Sequence, residues 1–89
     1  MMKGPKLRGI SYRIAMGHMS EQRYERAIKE FLQIPGYESD AQVCELMARC
    51  YLKLGQVAGA EKHVDLAILE YGKEENTEKV EKLKLEFKR

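Results

Sequence analysis

Apolar residues recur along this chain at helical spacing, interrupted by short polar stretches that carry glycine or proline. The clearest block runs over 40–72. Val43, Cys44, Met47, Ala48, Cys50, Tyr51 and Leu54 follow a period near 3.6 with a broad apolar arc, the mark of a helix buried on more than one side. Gly55 then offers a left-handed cap, and a second stripe follows at once: Val57, Ala60, Val64, Ala67, Ile68 and Tyr71, closed by Gly72. A connection that short forces the two helices antiparallel. Ser39 or Asp40 supplies the helix start, and Gln42 follows Ser39 at the spacing of a capping box.

The block before it has the same build. A helix is expected over 7–19 and a second over 23–34, with Tyr24, Ala27, Ile28, Phe31 and Leu32 facing inward. Ser20, Glu21 and Gln22 make the turn, and Pro35-Gly36 stops the second helix. A fifth helix is expected over 77–87 on the stripe Val80, Leu83, Phe87, with Asn76 or Thr77 as its cap. Of that stripe only Val80 holds the register of the earlier copies, which suggests a helix that covers and solubilises the last hairpin. The expected class is all-α: antiparallel helical hairpins stacked as a short α-solenoid of about five helices. Its parts are a flexible lead-in over 1–6 and one domain over 7–89, made of hairpin 7–34, hairpin 40–72 and capping helix 77–88.

The two blocks are internal copies. At one constant offset Ala60 follows Ala27, Val64 follows Phe31, Ala67 follows Ile34, Met47 follows Ile14 and Ala48 follows Ala15. That offset is a period near 33, which belongs to helical-hairpin repeats. The residues Cys44, Met47-Ala48, Tyr51, Gly55, Ala60, Val64 and Ala67 make the second copy similar to the tetratricopeptide repeat family, and Ser11, Ile14-Ala15, His18, Ala27, Phe31 and Ile34 do so for the first. The first copy departs at Ser11 and His18 and has Gln22 in place of the turn glycine. The resemblance covers roughly 7–72 and implies paired helices whose alanines mark the closest approach within each hairpin. It also implies a concave face, formed by the first helix of each hairpin, that grips peptides or partner helices. On that face fall Tyr12, Met16 and Met19 at i, i+4, i+7, and Glu45, Arg49 and Leu52 at the matching positions of the second copy. The core stripe of the first helix is expected at Ser11, Ile14, Ala15 and His18. The chaperone-tail clamp found in some members is not expected, because Tyr12 and Met16 stand where its Lys and Asn would.

Composition narrows the function. The chain of 89 residues carries a net charge of +2 on 16 basic and 14 acidic residues, so no basic excess marks a nucleic-acid binder. The lysines near the C-terminus (Lys79, Lys82, Lys84, Lys88, with Arg89) are interrupted by Glu78, Glu81 and Glu86 and read as a solvated face. No apolar run approaches the ~20 residues of a membrane span, and Lys3, Lys6 and Arg8 precede no apolar segment of the kind a signal peptide needs. Cys44 and Cys50, six apart on one helix, sit about 9 Å apart by helix rise, too far for a disulfide. A cytoplasmic protein is expected. His18 and His63 have no metal-ligand partner at a suitable spacing, and His63 is expected on the outer side of its helix. No catalytic site, metal or cofactor is expected. The expected function is a non-catalytic adaptor that binds a helix or peptide of another protein through Tyr12, Met16, Met19, Glu45, Arg49 and Leu52. The alternative is a structural module that forms a homodimer or joins a larger assembly, since two hairpins are fewer than the three repeats such stacks usually need.

Overall fold

The computed structural model describes residues 8–89. The expected lead-in over 1–6 lies outside them. Among the described residues there are five α-helices and no strand: α1 (Gly9–Ser20), α2 (Tyr24–Phe31), α3 (Ala41–Lys53), α4 (Val57–Lys73) and α5 (Thr77–Phe87), with a 3-10 turn at Tyr37–Ser39 between α2 and α3. The pairs α1–α2 and α3–α4 are antiparallel hairpins stacked side by side, and α5 packs on α4. The molecule is 18 Å thick in its shortest direction, close to two helix layers. No described helix is long and apolar enough to cross a membrane.

Helix α3 is the wall between two cores. Its Val43, Met47 and Cys50 pack with Ala15, Ala27, Ile28, Phe31 and Ile34 of the first hairpin. Its Cys44 and Ala48, with Ala41, pack instead with Val64, Ala67 and Tyr71 of α4 and Leu83 of α5. That two-sided use is why its apolar arc is so broad in the sequence. The paired alanines are all enclosed. Gly59 shows how close α3 and α4 come: a Cβ there would lie 2.6 Å from the Tyr51 ring. A glycine lets that ring lie on the backbone of α4.

The helix ends follow from local chemistry. Asp40 caps α3 by accepting from the Val43 N–H at 3.3 Å, and the Arg8 guanidinium holds the same carboxylate at 2.8 and 2.9 Å. Asn76 caps α5, accepting from the Lys79 N–H at 3.2 Å. Each such bond satisfies a donor that the first turn of a helix leaves free. The C-terminal ends of α1, α3 and α5 share one geometry. Gln22, Gly55 and Lys88 all have positive φ (62°, 74° and 56°). In each case the next N–H donates to a carbonyl in the last turn of the helix: Arg23 to His18 at 2.8 Å, Gln56 to Tyr51 at 2.9 Å, Arg89 to Lys84 at 2.8 Å. Helix α4 ends in the same way, with Glu75 at φ 58° and the Asn76 N–H donating to the Tyr71 carbonyl at 2.9 Å, so this closure, a left-handed residue followed by a bond back into the last turn, ends four of the five described helices.

Several expectations are corrected. Helix α2 stops at Phe31, short of the expected end at Ile34, and Leu32 turns outward while Ile34 stays in the core. Gly72 lies inside α4 rather than closing it. The buried face of α1 is rotated: Ala15 is enclosed, Tyr12 and Met19 pack against the core, and Ile14 is exposed. Its counterpart Met47 is enclosed because the first hairpin lies over it, and Ile14 has no such neighbour among the described residues. His63, expected outside, is buried for the same reason. Tyr37 of the inter-hairpin turn and Tyr51 of α3 both stack on its ring, at centroid distances of 6.1 and 5.0 Å.

Candidate partner-binding surface

The first helices of the successive copies are tied together by ionic rungs. Arg8 at the start of α1 reaches Asp40 at the start of α3. From α3, Glu45 receives Lys79 of α5 at 3.3 Å, and Arg49 binds Glu86 of α5 at 3.1 Å. So α1, α3 and α5 lie alongside one another, and the six residues expected on their shared face can be placed.

They divide into three kinds. Tyr12 and Met19 are half-buried. The Tyr12 ring meets Phe31 edge-on at 6.2 Å, with the Arg8 guanidinium over it at 4.6 Å, and Met19 packs on the first core. Glu45 is buried and engaged, accepting from the Tyr71 hydroxyl at 2.7 Å, from Arg49 at 2.9 Å and from Lys79. Burial pushes its pKa up, and the hydrogen bonds from Arg49, Tyr71 and Lys79 outweigh it and hold the carboxyl below the usual range. Arg49, bound to both Glu86 and Glu45, is a bridge inside the molecule. Met16 and Leu52 alone of the six are turned to solvent.

Leu52 belongs to a larger apolar feature that the stripe does not reveal. At the tip of the second hairpin a hollow of about 230 Å³ opens between the end of α3, the start of α4 and the end of α5. Leu52, Val57, Ala60 and Phe87 form its walls, and Glu61, Glu86 and Lys88 its rim. Val57 and Leu52 remain 58% and 49% exposed, unusual for large apolar side chains so close together. Its signal in the sequence is the apolar stripe of α4, which by periodicity alone reads as core throughout. The hollow at the tip of the first hairpin differs in chemistry. There Tyr24 and Leu54 lie among Gln22, Arg23, Glu25 and Arg26, and both pack on the core.

The two cysteines and His63 lie inside the molecule. Burial pushes the Cys44 thiol up to about 12 and Cys50 up to about 11, so both stay protonated at neutral pH and are poor nucleophiles. The His63 Nδ1–H donates to the Gly59 carbonyl at 2.8 Å, and its Nε2 is buried without a partner. Among the described residues no three His, Cys, Asp or Glu side chains converge as a metal site would require. Comparison of the chain with protein-family models, curated proteins and solved structures finds no match.

Proposed function

We propose that this chain is a non-catalytic, cytoplasmic interaction module that binds a helix or extended segment of another protein. The contact runs from Met16 on α1, past the edges of Met19 and Arg49, to Leu52 and the hollow beside it. Tyr12 and Glu45 support that surface from within. The observation that carries the reading is the unfilled apolar hollow at Leu52 and Val57 beside an ion network that fixes its walls. Apolar pockets framed by rigid polar contacts are where partner side chains anchor. The resemblance of both hairpins to tetratricopeptide repeats supports the same reading, and two buried free thiols suit a reducing compartment.

Selection of random displayed peptides on the immobilised chain tests it. Peptides that bind should lose at least tenfold in affinity to Met16→Asp and to Leu52→Asp, with helical content and melting unchanged. Affinities within twofold of the parent for both variants would move the site elsewhere, and no selected peptide at all would remove the reading.

A second reading, self-association, has its own observation. Ile10 and Ile14 occupy on α1 the places that Val43 and Met47 occupy on α3, and among the described residues only the latter pair is covered. A second copy could cover the former. Solution mass across a concentration series tests this: a dimer that Ile14→Asp splits supports it, and a monomer near 10.3 kDa at all concentrations removes it.

A further inference from the structure

The residues that line the hollow at the tip of the second hairpin have counterparts in the first. Leu52, Val57 and Phe87 stand one repeat period after Met19, Tyr24 and Leu54. In the first hairpin those three positions pack on the core, and the middle one supplies an aromatic ring. In the second the middle position is Val57, which leaves apolar walls and no ring. The volume of about 230 Å³ is below the range of ordinary small-molecule sites. It exceeds that of apolar cavities of about 150 Å³ that take up benzene. The space therefore suits one side chain, and an aromatic one.

The rim indicates what stands beside that ring. Glu86 is bound by Arg49, and Glu61 by Arg89 at 3.4 Å. Lys88 is the rim charge with no ion pair among the described residues. Its backbone takes the left-handed conformation that ends α5, and the residue lines the hollow's mouth.

We propose that this hollow is a socket for a single aromatic side chain of a partner segment, carried next to an acidic residue that pairs with Lys88. The proposal rests on the interaction-module reading and specifies the partner's chemistry. An aromatic anchor seated in an apolar pocket with a charge at its edge is a common form of binding hot spot.

The test is a titration of the isotope-labelled full chain, followed by amide NMR shifts, with three acetylated dipeptide amides: glutamyl-tryptophan, glutamyl-leucine and lysyl-tryptophan. Glutamyl-tryptophan should give saturable shifts at Leu52, Val57, Ala60, Phe87 and Lys88. The other two should bind at least fivefold more weakly. Val57→Tyr, which restores the ring the first hairpin carries, should weaken binding at least tenfold. Lys88→Glu should reverse the preference between the glutamyl and lysyl probes. No saturable shift at those residues, equal binding of the leucine probe, or indifference to both variants would overturn the socket. Displayed peptides that bind the chain yet ignore Val57→Tyr would overturn the socket and leave the interaction module standing; the absence of any binding peptide would end both.

Discussion

Ile10 and Val43 hold the same place on their helices, one repeat period apart, yet Ile10 is 71% exposed and Val43 is fully enclosed. The same contrast runs through the two hairpins. Ile14 is exposed and Met47 is buried. Glu30 is half-buried and its counterpart His63 is enclosed between two tyrosine rings. Tyr12 leans on Phe31, while Glu45, its counterpart, anchors α5 through Lys79 and Arg49. Among the described residues the second hairpin has a neighbour on each side and the first has one. A repeat pattern determines which residues point sideways, and the neighbouring element determines whether pointing sideways means burial. The tips differ in chemistry: the first hairpin packs the Tyr24 ring on the core beside a polar hollow, and the second has Val57 in that position beside an apolar one.

Substitutions at four places probe how far the hairpins correspond. The largest effect is expected in the first core. Phe31→Ala should cost about 3–5 kcal/mol, because it empties an enclosed site, whereas Val64→Ala at the matching position should cost about 2 kcal/mol. Chemical denaturation of both variants measures the ratio, and equal losses would mean the two cores do not correspond.

Next comes the ion network. Glu45→Gln should cost about 2 kcal/mol at neutral pH, because Arg49 and Lys79 lose a buried partner, while Tyr12→Phe should be nearly neutral. The sign with pH is definite. Glu45 and Glu86 both titrate below the usual carboxylate value in the folded state, Glu86 chiefly through its hydrogen bond from Arg49. The stability they contribute is complete above the ordinary value of about 4.3 and drains as pH falls through their lower folded values. Urea unfolding between about pH 5 and about pH 3 should therefore show a shallower acid loss in Glu45→Gln than in the parent chain.

Close approach is tested at Gly59. Gly59→Ala places a Cβ 2.6 Å from the Tyr51 ring and should destabilise by about 1–3 kcal/mol as the ring is pushed aside. Arg26→Ala, at the equivalent exposed site of α2, should stay within about 0.5 kcal/mol. A thermal melt of Gly59→Ala matching the parent would refute the contact.

The smallest effect is at the turns. Gln22 adopts the left-handed conformation that Gly55 supplies without a Cβ penalty. Gln22→Gly should raise stability by about 1 kcal/mol, and Gly55→Gln should lower it by a similar amount; denaturant midpoints of the two variants should move in opposite directions.

Much of this is legible in the residues, and the rest is hidden for reasons of geometry. The helix count, the hairpin turns, the enclosed alanines and the two-sided burial of α3 follow from periodicity, because each depends on residues within a few turns of one another. The rotation of α1 does not. Ile14 and Met47 are alike in the pattern and differ only in what lies alongside them. His63 reads as outward because the turn that covers it comes from another copy, with Tyr37 far from it in sequence. The shared closure of the helix ends escapes the apolar pattern because it is a backbone conformation carried by Gln22, Gly55, Glu75 and Lys88, residue types with little in common. Of the six surface residues inferred from the sequence, four are engaged within the molecule. Glu45 looks like a surface charge, and only the arrival of Lys79 and Tyr71 from other helices makes it a buried anchor.

If one face, ending at the apolar hollow, meets the partner, amide shift mapping of the full chain with its tightest selected peptide should trace that face. Shifts are expected to run from Met16 and Met19 through Arg49 to Leu52, Val57 and Phe87, with Asp65 and Leu69 on the exposed side of α4 unmoved. Shifts centred on Asp65 and Leu69, with Leu52 and Val57 unmoved, would contradict it.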